Sequence, residues 1–205
     1  MGRVRGKDWM QEHVTDTYVR RARNEGMRSR SAFKLEQIAG RDRLFRPGMT
    51  VVDLGAAPGG WSQIAAHRVG AGGRVIALDL LDMVSLHGVT FVPGDFRDQT
   101  VVEALERELR GQRVDLVLSD MAPNLSGIGS VDQARWLELA ELALEFALKH
   151  LKPQGNFLVK VFHGAGFDAF VRRMRLEFRE VVTRKPAASR ARSSEVYLLG
   201  RGRKP

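Results

Sequence analysis

The chain has 205 residues, 43% of them apolar and 28% charged, with a formal net charge of +9, which suits one domain with a substantial core and excludes two of full size. The absence of cysteine excludes disulfides, thiolate metal sites and thiol nucleophiles, and the five scattered histidines (His13, His67, His87, His150, His163) lack metal-binding spacing, so no metal site is expected. The longest apolar stretch, from Leu137 to Leu148, is interrupted by Glu138, Glu141 and Glu145, and no apolar leader follows Met1; a soluble, cytoplasmic protein with no membrane span is expected.

Residues 1–30 are polar and charged with scattered apolar positions, and read as a basic arm ahead of a domain at 31–200, with 201–205 as a basic tail. Ser31 offers an N-cap to a helix over 32–39 that carries Lys34 and stops at Gly40. From residue 49 the texture changes to short β-branched runs at 49–54, 73–79, 89–92, 114–119 and 156–162, apolar at successive rather than alternate positions. Such runs are strands buried on both faces. Helical segments at about 60–69, 100–110 and 131–151 lie between them, and this alternation makes a mostly parallel sheet. After a helix near 167–178, the runs 179–183 and 195–199 are joined by a loop too short for a crossover helix, so they should pair antiparallel and end the sheet as a hairpin. The predicted fold is α/β, with seven strands and helices on both faces.

Charge is segregated along the chain. Residues 1–46 carry 12 Lys+Arg against 6 Asp+Glu, residues 47–171 carry 10 against 15, and residues 172–205 carry 11 against 3. A membrane surface or an acidic protein would suit basic ends, but a polyanion that meets both ends of one fold is the simplest partner, and nucleic acid is favoured. Salt-sensitive binding through Arg28, Arg30, Arg190 and Arg192 is the expectation.

The first strand runs into Asp53-Leu54-Gly55-Ala56-Ala57-Pro58-Gly59-Gly60-Trp61 and then a helix, which places glycine-rich backbone where the carboxyl ends of a parallel sheet open a ligand crevice. The spacing is not GxGxxG, which disfavours an NAD-dependent oxidoreductase. Asp79 ends the second strand, where an acidic side chain can accept hydrogen bonds from a ribose diol, and Asp95 follows the third. The loop resembles motif I of the class I S-adenosylmethionine-dependent methyltransferases. That resemblance implies a single Rossmann-like domain with S-adenosylmethionine as cofactor, with Trp61 beside it and Asp95 at its adenine.

The methyl acceptor must be read from other residues. Without cysteine, thiolate attack on C6 of a pyrimidine is closed. After the fourth strand, Ser119-Asp120-Met121-Ala122-Pro123-Asn124 lacks the aromatic residue that grips a flat base, which disfavours a base nitrogen. A ribose 2′-hydroxyl is a poor nucleophile and needs a base or a cation as the alkoxide develops. Lys34, Asp120, Lys160 and Glu195 could supply this, because the predicted topology brings all four to one edge of the sheet. Tyr197, two residues beyond Glu195 on the same strand face, is expected either to position the ribose or to pack in the core.

This set and its flanking words resemble the RrmJ/FtsJ family of ribose 2′-O-methyltransferases. The words include Ser31-Ala-Phe-Lys34-Leu, the glycine loop, Gly94-Asp-Phe-Arg-Asp98, Val159-Lys-Val-Phe162 and Ser193-Ser-Glu-Val-Tyr197. The resemblance implies that Gly59, Trp61, Asp79, Asp95 and Asp120 hold S-adenosylmethionine, and that Lys34, Asp120, Lys160 and Glu195 form the catalytic tetrad. It further implies a monomer acting on a uridine ribose of large-subunit (23S) ribosomal RNA, in the A-loop of the assembled 50S subunit. Relatives that act on tRNA or messenger caps share the tetrad. A non-catalytic RNA-binding assembly factor on the same scaffold would be expected to carry a damaged loop or tetrad, and both are intact. An ordinary lysine, with a pKa of ~10.4, is protonated at neutral pH. Lys160 is therefore expected to contact the 2′-oxygen and either take its proton or stabilise the alkoxide as a cation.

Overall fold

The computed structural model describes residues 16–123, 126–190 and 193–205, and its apolar runs form seven strands. These are β1 Thr50–Leu54, β2 Arg74–Asp79, β3 Val89–Pro93, β4 Val114–Ser119, β5 Leu151–Phe162, β6 Phe178–Arg184 and β7 Glu195–Arg203. They make one sheet in the order β3-β2-β1-β4-β5-β7-β6. Strands β1 to β5 pair in parallel, and β7 is inserted between β5 and β6, antiparallel to both. The predicted hairpin thus forms with its second strand inside the sheet and its first at the edge.

Side chains alternate between the two faces of a strand, so a run apolar at every position needs cover on both sides. The described helices are α1 Thr17–Asn24, α2 Ala32–Asp42, α3 Gly60–Val69, α4 Gln99–Leu109, α5 Gly129–His150 and α6 Phe167–Glu177, and α2 to α6 give that cover. On one face Val52, Ile76, Val117, Phe157 and Val159 pack against Leu105 of α4, Leu144 of α5 and Phe170 of α6. On the other, Val51, Val75, Leu116 and Leu158 meet Leu35 and Ile38 of α2 and Trp61 and Ile64 of α3. Each of these large side chains contributes roughly 1.5–3 kcal/mol through burial.

Several boundaries differ from the sequence reading, each for a local reason. Helix α2 passes through Gly40 and ends only where Arg43 turns left-handed, at φ 51°. Its last residue, Asp42, has a fully enclosed carboxylate held by Arg184 of β6 and Arg201 of β7, which anchors the extra turn. Ser31 makes no side-chain cap, because its hydroxyl pairs with that of Ser29 at 2.8 Å. Strand β5 starts at Leu151 rather than 156, with a register shift against β4 and Gln154 at φ 70°. Residues 201–203, read as tail, continue β7 beside β6, with Arg203 opposite Phe178. Within the segment read as an arm, α1 packs through Ala22 on Phe33 and Ala188. Residues 1–15, Asn124, Leu125, Ala191 and Arg192 lie outside the described residues. Among the described residues no helix is long and apolar enough to cross a membrane.

Candidate active site

The loops at the carboxyl ends of β1, β2, β3 and β4 enclose a cleft of about 530 Å³ whose walls include Gly55, Ala57, Asp79, Asp95, Asp120 and Met121. Gly55 has φ +78°, and a Cβ there would stand 2.7 Å from the Met121 backbone nitrogen, so only glycine lets the β1 and β4 loops approach this closely. Asp79 accepts from the backbone N–H of Ala57 at 2.9 Å and of Leu81 at 2.8 Å, fixing the glycine loop to the end of β2. Asp95 is gripped by Arg97, whose backbone N–H, Nε and Nη2 donate at 2.9, 3.0 and 2.6 Å. Those hydrogen bonds hold the Asp95 carboxyl below the usual carboxylate range.

Asp120 closes one end of this cleft and opens onto the tetrad. Lys160 Nζ donates to the Asp120 backbone carbonyl at 2.6 Å and lies 3.1 Å from Asp120 Oδ1. The Tyr197 hydroxyl donates to the same Oδ1 at 3.2 Å. Lys34 Nζ pairs with Glu195 Oε1 at 2.5 Å and sits 5.9 Å above the Tyr197 ring. Lys160 and Tyr197 are register partners on β5 and β7, as are Phe162 and Glu195. The four tetrad side chains are therefore gathered around one tyrosine. Burial would raise the Glu195 carboxyl, but Lys34 beside it, aided by Ser189 and Lys160, holds it below the usual range, so it is ionised at neutral pH. Burial, with Asp120 and Glu195 nearby, raises the Tyr197 phenol well above its ordinary value and keeps it a donor.

The other predicted site residues surround these two centres. Tyr197 is fully buried, its ring tilted against Trp61 at 5.6 Å between centroids, and it meets Asp120 through its hydroxyl, as a residue packed in the core. Trp61 is itself buried and donates through Nε1 to the Ser31 carbonyl at 2.9 Å; Gly59 is the left-handed cap of α3 at φ 104°. The Arg28 guanidinium donates to the carbonyls of Pro58, Val84 and Ser85, tying the segment before α2 to the loops around the cofactor cleft. Arg30 and Arg190 line a second cavity, of about 540 Å³, together with Lys34 and Glu195.

The sequence reading assigned no role to Asp53, although it lies in the glycine motif. It is fully buried on β1, accepts from Ser62 Oγ at 2.6 Å, and its Oδ1 has no hydrogen-bond partner. Burial pushes its carboxyl up to about 7, with Asp120 and Asp79 adding to the effect and Ser62 opposing it. Among the described residues no three His, Cys, Asp or Glu side chains are grouped to hold a metal ion.

Residues 27–203 match the FtsJ-like methyltransferase family. The chain is 60% identical over 198 residues to a Nitrosospira multiformis protein named ribosomal RNA large subunit methyltransferase E, covering 97% of this chain and 96% of the relative. A Dechloromonas aromatica protein of the same name is 59% identical and covers 95% of each chain. Among solved structures, a Plasmodium falciparum protein described as a ribosomal RNA methyltransferase superposes with a TM-score of 0.77 at 23% identity, covering 86% of this chain and 98% of that one. A Streptococcus mutans protein described as a methyltransferase, in complex with S-adenosylhomocysteine, shares the fold at a TM-score of 0.52 and 10% identity, covering 83% and 94%. Nearly every residue of the domain, from the segment before α2 to the end of β7, falls within the family match, and the chain belongs to the FtsJ-like methyltransferases.

Proposed function

We propose that this enzyme transfers a methyl group from S-adenosylmethionine to a ribose 2′-oxygen of large-subunit ribosomal RNA. The ribosomal RNA substrate is supported by the names of relatives near 60% identity. The resemblance of its sequence motifs carries the finer reading: a uridine of the A-loop in the assembled 50S subunit, modified by a monomer in the cytoplasm.

The cleft fits the cofactor by the chemistry of its walls. The adenine amine, ribose diol and α-ammonium of S-adenosylmethionine are hydrogen-bond donors, and the cleft presents acceptors in Asp95, Asp79 and Asp120 beside a backbone made accessible by Gly55. When bound, the cofactor supplies an electrophilic sulfonium methyl and leaves as S-adenosylhomocysteine.

The observation that carries the proposal is the paired geometry of Lys160 and Asp120. Of the three positions around Nζ not taken by its own carbon chain, one donates to the Asp120 carbonyl and a second is set on the side of Oδ1, its ion-pair partner at 3.1 Å. The third is left for the acceptor oxygen: as an N–H it stabilises the developing alkoxide, and as a lone pair it takes the proton. Tyr197 fixes Oδ1, and with it the direction of that third position. Lys34 and Glu195 add an ion pair of zero net charge, so the nearly buried crevice keeps its charges matched.

The test is transfer of radiolabelled methyl to 50S subunits from a strain lacking this activity, followed by digestion to nucleosides. Label in 2′-O-methyluridine is the expected result. Label in a base-methylated nucleoside would overturn the reading.

A further inference from the structure

The cavity beside the tetrad is lined by Arg30, Lys34, Arg190, Ser193, Ser194 and Glu195, and its two arginines carry buried Nε donors with no partner among the described residues. The Asp16 carboxylate, at the N-terminus of α1, stands against the two arginines of this lining. Its Oδ1 accepts from the Tyr18 backbone N–H at 2.9 Å, which leaves Oδ2 to serve two arginines. Arg30 Nη1 donates to Oδ2, while Arg190 Nε stands 3.8 Å from it, beyond hydrogen-bond distance. Arg30 Nη2 is fixed on the Ala188 carbonyl at 2.5 Å, and the Nε groups of both arginines are buried without a hydrogen-bond partner among the described residues. Burying two donors unmatched is unfavourable, and at 3.8 Å from Arg190 Nε the carboxylate does not satisfy that donor.

A phosphate matches this site better than the carboxylate does, because it offers more oxygens to planar guanidinium forks. The location suits it as well. Lys34 and Glu195 of the tetrad line the same cavity, and the 2′-oxygen and 3′-phosphate of a nucleotide hang from adjacent sugar carbons. A ribose presented to Lys160 therefore brings its own phosphate towards Arg30 and Arg190, where the contact would set register rather than read sequence.

We propose that the Arg30–Arg190 pair is the subsite for the RNA phosphate next to the target ribose, and that Asp16 occupies it in the free chain and gives way when RNA binds. This rests on the ribose-methylating function above. Asp16 is then a competitor of the substrate, and removing its charge tightens RNA binding. A carboxylate that only aligned Arg30 would have the opposite effect on removal.

The experiment is filter binding of in-vitro-transcribed 23S ribosomal RNA at several salt concentrations, for wild type, Asp16→Asn, Arg190→Gln and the double variant. Asn and Ser both serve as helix N-caps, so Asp16→Asn keeps the cap of α1, and Asp16→Ser is a second uncharged variant that must behave alike. Both Asp16 variants should bind about fivefold more tightly, the effect of one unit charge a few ångströms from a phosphate in water. Arg190→Gln should weaken binding and flatten the salt dependence by about 0.7–0.9 in log–log slope, and in that background the gain from Asp16→Asn should shrink. Unchanged or weaker binding by the Asp16 variants, or an unaltered salt slope for Arg190→Gln, would overturn the subsite. If wild type methylates ribose and the affinities do not shift, the subsite alone fails; if wild type places no methyl on ribose, the functional reading fails.

Discussion

On the cofactor side of Asp120, backbone sets the frame: Asp79 accepts from the N–H groups of Ala57 and Leu81, the space beside it depends on Gly55, and only Asp95 is gripped by a cation, Arg97. On the tetrad side, carboxylates are met by ammonium groups: Asp120 by Lys160 and Glu195 by Lys34. The first region is set by chain geometry, so it tolerates changes of charge better than changes of shape. The second is set by charge balance in a poorly solvated crevice, where removing one partner leaves the other buried and unmatched. Asp120 belongs to both.

The largest effect is expected at the shared residue. Asp120→Ala should lose methyl transfer by about 10⁴ or more, because it strips Lys160 of a counter-ion and the cleft of an acceptor. Single-turnover rates together with cofactor calorimetry should both change; loss of only one would mean that the two regions are not joined there.

Asp53, behind the cofactor loop, gives the next largest effect, and it is a matter of pH. Its folded pKa of about 7 lies above the ordinary carboxylate value, so its contribution to stability is fully present below about pH 4 and is lost as pH rises through 7. The shift corresponds to at most about 4 kcal/mol. Urea unfolding at about pH 4 and pH 8 should show this loss in wild type and not in Asp53→Asn, when the variant is compared with wild type at each pH. Glu195 and Asp42 are displaced the other way, their contributions falling away in acid, and both are common to the two proteins.

Gly55→Ala sharpens the shape argument. The added methyl meets backbone at 2.7 Å at a positive φ, so cofactor affinity should fall by roughly tenfold or more, equivalent to about 1–3 kcal/mol of overpacking and strain. Calorimetry measures this, while RNA binding should be retained. Tyr197→Phe is the smallest change. It removes one hydrogen bond to Asp120 and should cost about 1 kcal/mol of stability. Transfer should slow by no more than about tenfold, because Lys160 keeps its two contacts with Asp120. Cofactor affinity should be unchanged.

The sheet was legible because its strands are apolar at every position. Val51 and Val52 face different helices, and no other arrangement buries both. The glycine loop was legible for a similar reason, since positive-φ backbone leaves a sequence trace. The convergence of Lys34, Asp120, Lys160 and Glu195 followed from strand order, but their pairing did not, because which ammonium meets which carboxylate depends on rotamers. The carbonyl contacts of Arg28 were not legible, because an arginine directed at backbone looks the same in sequence as one directed at phosphate. Tyr197 was placed on the correct face, and only packing against Trp61 shows that this face is closed. The contacts from Asp16 to Arg30 and Arg190 join three distant segments, and no periodicity announces them.

The central claim is that Lys160, held by Asp120, acts on the acceptor oxygen. Single-turnover methylation of 50S subunits by Lys160→Ala, at saturating S-adenosylmethionine, tests it most directly. The account predicts a rate lower by about 10²–10⁴ with cofactor affinity unchanged. A variant that transfers methyl at close to the wild-type rate would contradict it.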